Sequence, residues 1–224
     1  MVDARSEVGV PLERLAEKGG PGAEATVGAE HDSFAPVLAE TVRVLEAASV
    51  PFTLIGGIAV TSYGRPRWTH DIDVFVRPED AEETLCILAA RGYTTERPDP
   101  RWLFKAFKHD VMIDVIFRCT GGFYLDDEIL ARTRRMEFQG CDVPLIPPED
   151  LLLMKAAVHD EIGPRHWHDA LGILGRTELD WDYLLSRARK APRRLLSLLI
   201  YAHSIDLSVP NRVVRTLFEQ IYGA

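Results

Sequence analysis

Leu54-Ile55-Gly56-Gly57, thirteen residues, and then Asp71-Ile72-Asp73-Val74-Phe75-Val76 form the stretch that decides the fold. A glycine pair closes one short apolar run, and two carboxylates spaced i, i+2 open the next. On a strand, residues two apart share a face, so Asp71 and Asp73 are expected to project together. Two like charges held that close repel. A divalent cation relieves the repulsion, and carboxylate oxygens suit hard Mg²⁺, which binds through one or two carboxylates and the substrate's phosphates. Glycines upstream let backbone N–H groups approach a phosphate. A phosphate cradle beside a carboxylate pair points to phosphoryl or nucleotidyl transfer.

An isolated Asp-x-Asp is usually surface decoration. Here the pair flanks Ile72 and runs into Val74-Phe75-Val76, which makes it the start of a buried strand. A third acid, Asp114, lies inside Val111-Met112-Ile113-Asp114-Val115-Ile116-Phe117. A carboxylate in such a run is costly unless it is paired or metal-bound. Two strands with inward acids therefore predict a metal site built from Asp71, Asp73 and Asp114.

These residues resemble the nucleotidyltransferase superfamily that includes DNA polymerase beta. Its pattern is Gly-Gly or Gly-Ser, a spacer, Asp-x-Asp, and a third Asp on a later strand, matched here by Gly56, Gly57, Asp71, Asp73 and Asp114. Arg67-Trp68-Thr69-His70-Asp71-Ile72-Asp73 is similar to the version in bacterial stand-alone enzymes, including abortive-infection toxin-like proteins and transferases that modify tRNA ends. Lys155, Arg165 and Asp169 resemble that group's helical motif, with two departures: His168 stands where Lys is usual and Gly172 where a final Asp is usual.

The resemblance covers roughly residues 50–175. It implies an α+β fold, a mixed β-sheet nucleotidyltransferase core flanked by helices and followed by a C-terminal helical subdomain. It further implies that Mg²⁺ (or Mn²⁺) on the three acids and an NTP substrate meet at Gly56, Gly57, Arg67, Thr69 and Lys155. Two metals would stabilise the entering and leaving oxygens, and Arg67 and Lys155 would neutralise phosphate charge. The acceptor stays open between RNA, a protein and a small hydroxyl compound, and an antitoxin partner is one implied possibility. A catalytically silent nucleotide-binding module and an aminoglycoside-type transferase remain the alternatives.

Composition agrees with a globular enzyme. The longest apolar run, Leu195 to Ala202, is far too short to span a bilayer, and the amino terminus lacks a signal-peptide pattern. Cys86, Cys119 and Cys141 are three and widely spaced, which predicts reduced, buried thiols in the cytoplasm rather than a disulfide frame. A net charge of −8 argues against a general nucleic-acid-binding field. The arginines between 187 and 215 are the exception, and are expected to form one positive surface for a polyanionic acceptor.

Three segments emerge along the chain. Residues 1–32, broken by Lys18-Gly19-Gly20-Pro21-Gly22, read as a flexible N-terminal segment. Residues 33–147 read as the core. They open with a helix over 33–49 capped by Ser33, then alternate strands and helices, with a hairpin turn at His109-Asp110. Pro147-Pro148 begins an all-helical part over 148–224, whose first helix is expected over 148–160. His159, His166 and His168 lack cysteine partners and span Gly163-Pro164, so they are not read as a zinc site.

Overall fold

The computed structural model describes residues 33–158 and 164–223. The expected flexible segment 1–32, His159 and the last two residues of the helix expected over 148–160 lie outside the described residues. The described residues fall in one compact unit.

Helix α1 (Phe34–Ala47) buries Phe34, Val37, Leu38, Thr41, Val42, Val44 and Leu45. Ser33 precedes it but makes no side-chain cap bond, so Pro36 in the first turn and packing of the apolar stripe define this start without the expected cap. Strand β1 (Phe52–Leu54) leads into α2 (Gly56–Tyr63), and β2 (Asp71–Val76) follows. A 3₁₀ turn at Pro78–Asp80 feeds α3 (Ala81–Ala89). Strands β3 (Thr94–Asp99), β4 (Leu103–Lys108) and β5 (Val111–Ile116) come next, then α4 (Asp127–Arg132), β6 (Arg134–Phe138) and β7 (Cys141–Leu145). The rest is helical: α5 (Pro148–Ala157), α6 (Arg165–Arg176), α7 (Trp181–Arg187), α8 (Pro192–Ser204) and α9 (Asn211–Tyr222).

The seven strands form one sheet in the order β3-β4-β5-β2-β1-β7-β6. It is mixed: β2 runs parallel to β5 and β1 to β7, while the other neighbours are antiparallel. The β2–β5 pairing positions the site, because it sets Asp73 directly beside Asp114 and Asp71 beside Met112. Ile72, Val74, Ile113 and Val115 are completely buried, while the acids alternate with them and are half-buried. One face of these central strands thus closes the core and the other carries the carboxylates.

Helix α5 is buried on all sides, including its polar residues. Each buried charge has a partner, as burial demands. Glu149 accepts the Asp180 N–H at 2.7 Å. Asp150 accepts from the Tyr183 hydroxyl at 2.6 Å and from Arg187 Nε at 2.9 Å. Arg187 also bonds Asp126 at 2.7 Å and Glu128 at 3.2 Å.

The expected positive surface over 187–215 is therefore much reduced. Arg187 is enclosed by carboxylates. Arg194 donates to the carbonyls of Ala156 and Val158, at 3.1 and 3.2 Å, at the end of α5. Arg212 pairs with Asp182. Sequence clustering put these arginines together, but helix docking gives Arg187 and Arg194 internal partners and leaves Arg212 in a surface pair. The thiols also differ from expectation: all three are free, yet Cys86 is exposed and Cys119 and Cys141 are half-buried. No helix among the described residues is long and apolar enough to cross a membrane.

Candidate active site

Ligand oxygens of Asp71, Asp73 and Asp114 lie within 4.8 Å of one another. Among the described residues this is the one group of three or more potential metal ligands brought together in this way. Strand alternation aligns the first two, and the parallel register adds the third. Three hard oxygen donors suit Mg²⁺ or Mn²⁺, and the mutual repulsion of the cluster is what a divalent cation would relieve.

The glycine pair proves necessary for a reason the sequence does not display. Gly56 adopts φ +62°, and a Cβ there would lie 1.7 Å from Asp73 Oδ2. A Cβ on Gly57 would lie 2.2 Å from Thr69 Oγ1. The backbone at the start of α2 thus passes directly against the acidic strand, and the Gly57 N–H hydrogen-bonds the Asp73 carboxylate. The Thr69 hydroxyl donates to Asp71 Oδ1 at 2.6 Å and so orients that carboxylate.

Burial pushes the Asp73 carboxyl up to about 6, with Asp71 and Asp114 adding to the rise. Lys155 and the Gly57 amide oppose it. Lys155 is itself buried, 7% exposed, which excludes a solvated helical lysine. Burial lowers its pKa and Asp169 works the other way.

Asp169, on α6, has no exposed surface and gathers three cations. Arg65 approaches at 2.9 Å, Arg67 and Lys155 at 3.4 Å each. Burial works against its charged form, but Lys155 and Arg67 outweigh that and hold the carboxyl below its ordinary range. His166 Nδ1 lies 3.4 Å from Lys155 Nζ, and its pKa is lowered by burial and then by Lys155. A cavity of about 680 Å³ is lined by Gly56, Gly57, Asp71 and Asp73 together with Arg67, Lys155, Arg165 and His166. Ile116, Leu151, Met154 and Trp102 supply apolar lining. Gly121 and Gly122 line it too.

Of the site residues expected from the sequence, Gly56, Gly57, Arg67, Asp71, Asp73 and Lys155 line this cavity, Thr69 bonds Asp71, and Asp114 lies beside Asp71 and Asp73. Sequence reasoning gave no role to Lys105, whose Nζ sits 2.6 Å from Asp114 Oδ1. The signal was present. In a hairpin turning at His109-Asp110, counting outward pairs Lys105 with Asp114, as the register has it.

Gly172 departs from the helical motif for a steric reason. A Cβ there would come within 2.8 Å of Arg65 Cβ, and a Cβ on Gly64 within 2.5 Å of the Gly172 carbonyl. Helices α2 and α6 therefore meet glycine to glycine, with Arg65 threaded through the gap to Asp169. Gly172→Asp, which restores the motif, is expected to lower stability by about 2 kcal/mol through overpacking. Thermal denaturation checks this; an unchanged or higher melting temperature would refute the steric account.

A family model described as an uncharacterised nucleotidyltransferase matches residues 23–205. The chain has no significant match among curated proteins. Several solved structures are similar to it. One is the solution structure of the antibiotic-resistance factor ANT(2'')-Ia, 16% identical over 85% of this chain and 94% of that one, with a TM-score of 0.44. Another is lincomycin-bound LnuA, a lincosamide antibiotic adenylyltransferase, 16% identical over 61% and 93%, with a TM-score of 0.44. A third is the Megavirus polyadenylate synthase, 12% identical over 84% and 49%, with a TM-score of 0.41.

Proposed function

The chain belongs to this nucleotidyltransferase family, and from that premise we propose that it moves a nucleoside monophosphate from an NTP to a hydroxyl acceptor, using Mg²⁺ or Mn²⁺ held by Asp71, Asp73 and Asp114. The observation that carries the reading is the meeting of three carboxylates on β2 and β5, two of which, Asp71 and Asp73, line one cavity with Arg67 and Lys155, the cations paired with buried Asp169. A divalent cation bound there would polarise the phosphate oxygens and offset their charge.

The remaining work falls to the protein's own groups. Gly56 and Gly57, lacking side chains, let the start of α2 lie against Asp73 and Thr69, which brings its backbone beside the acidic strand where the triphosphate is proposed to bind. Arg67 and Lys155 neutralise charge that grows on phosphate oxygens as the α–β bond breaks, an interaction made stronger by burial. Thr69 keeps the Asp71 carboxylate oriented through its 2.6 Å hydrogen bond. Asp114 takes the proton of the acceptor hydroxyl as its oxygen attacks the α-phosphorus; the new O–P bond replaces the α–β phosphoanhydride bond and pyrophosphate leaves. The free thiols suit a reducing cytoplasm.

The test is incubation of the protein with α-labelled NTPs and Mg²⁺ in a cell lysate. Pyrophosphate release with label on a macromolecule or small compound supports transfer, and the labelled species identifies the acceptor as RNA, protein, a partner antitoxin or an antibiotic-like hydroxyl compound. Free phosphate would make it a hydrolase. Binding without either product would make it a silent nucleotide-binding module.

A further inference from the structure

Asp114 differs from the other two acids in being bonded directly by a cation of the protein's own. Lys105 Nζ stands 2.6 Å from Asp114 Oδ1 and 3.0 Å from Met112 Sδ. The contact is set by the backbone: β4 and β5 pair in unbroken register from Lys108–Val111 to Leu103–Ile116, which puts Lys105 directly opposite Asp114. The two side chains are only 21% and 14% exposed, so this is not a surface encounter. Asp71 and Asp73, in contrast, are held by neutral donors, the Thr69 hydroxyl and the Gly57 amide.

Two-metal sites hold their ions about 3.5–4 Å apart between shared carboxylates. An ion bridging Asp73 and Asp114 would compete with an ammonium already bonded to an Asp114 oxygen, and a divalent charge and an ammonium at that range repel strongly where solvent screening is weak. We infer that this site loads one divalent cation, on Asp71 and Asp73, and that the Lys105 ammonium supplies the second positive charge at Asp114. The inference rests on the metal-dependent transfer reading above, narrows its metal ligands from the three acids to Asp71 and Asp73, and departs from the two-metal expectation drawn from the sequence. Lys105 is then a positioning residue: it acts through Asp114, fixing that carboxylate toward the acceptor hydroxyl while balancing its charge.

The test counts ions. Mn²⁺ binding is followed by electron paramagnetic resonance and calorimetry on the full chain, alone and with methylene-bridged analogues of the four NTPs. Wild type is expected to bind one Mn²⁺ per chain at the site. Lys105→Met, nearly isosteric and uncharged, is expected to bind two. Lys105→Gln, which keeps a hydrogen-bond donor for Asp114, provides the same reading should the Met variant fold poorly. Lys105→Arg should stay at one. In turnover, the rate should depend on the first power of Mg²⁺ concentration in wild type and approach the second power in Lys105→Met. Two Mn²⁺ ions in wild type would overturn the inference and leave metal-dependent transfer standing, as would a folded Lys105→Met that still binds one. No Mn²⁺ binding to wild type would remove the metal-dependent reading and the inference with it.

Discussion

Asp73→Asn is expected to reduce nucleotidyl transfer by about 10²-fold or more, comparable with losing a major electrostatic contact in an active site, and also to stabilise the metal-free protein. Both effects come from one charge. Asn matches Asp in shape, so it fits against Gly56, where no Cβ is tolerated. It cannot share a divalent cation as a carboxylate does. In the metal-free protein, burial and the two neighbouring acids hold the Asp73 carboxyl at about 6, well above its ordinary value.

A raised carboxyl binds its proton more readily in the folded state than in the unfolded one. Its contribution is therefore favourable at low pH and is lost as pH rises from about 4 through about 6. Above that range the ionised Asp73 is a net cost, reduced by the Gly57 N–H bond and by water reaching this half-buried group. A gain on the order of 1 kcal/mol, or about 3 °C, is expected for Asp73→Asn at pH 7.5 in chelator. The gap between variant and wild type should open between pH 4 and 6 and then hold steady. Melting curves across pH, with a pyrophosphate-release assay, measure both effects. Full transfer activity in Asp73→Asn would contradict the site, and a lower melting temperature at pH 7.5 would contradict the electrostatics.

How much the sequence disclosed depended on how local the determining contact is. Strand β2 has the predicted bounds, Asp71–Val76, because alternation and apolar content both change at those residues. Asp114 was legible because a carboxylate in an apolar run needs a reason. Lys105 was recoverable from the hairpin count alone. The surroundings of Asp169 were not: its partners Arg65 and Arg67 lie more than a hundred residues away along the chain, and docking of α6 against α2 brings them together. The arginines near the C-terminus show the same limit from the other side. Their spacing is visible, but the carboxylates that enclose Arg187 come from the residue before α4, from α4 itself and from α5. Periodicity tells which face of an element is apolar; it does not tell which element the polar residues of that face will meet.

Asp169→Asn is the stringent test of that long-range cluster. The variant keeps the volume of the side chain and removes the anion that pairs with Arg65, Arg67 and Lys155. Breaking a buried ion pair by neutralising one partner typically costs 3–5 kcal/mol, because the remaining charge is left uncompensated. Arg65 is 39% exposed and can turn to solvent, but Arg67 and Lys155 are enclosed. A loss of about 3 kcal/mol, roughly 9 °C in melting temperature, is therefore expected at neutral pH. Since the Asp169 carboxyl is held below its ordinary range, its contribution is present above about pH 4 and disappears as pH falls through the lowered value, so wild type and variant should converge in acid. A triphosphate offers the same two cations a replacement anion. Adding NTP and Mg²⁺ should thus raise the melting temperature of Asp169→Asn more than that of wild type. If the variant melts like wild type, the cluster is not the paired network described; if NTP raises both equally, Arg67 and Lys155 do not face the triphosphate.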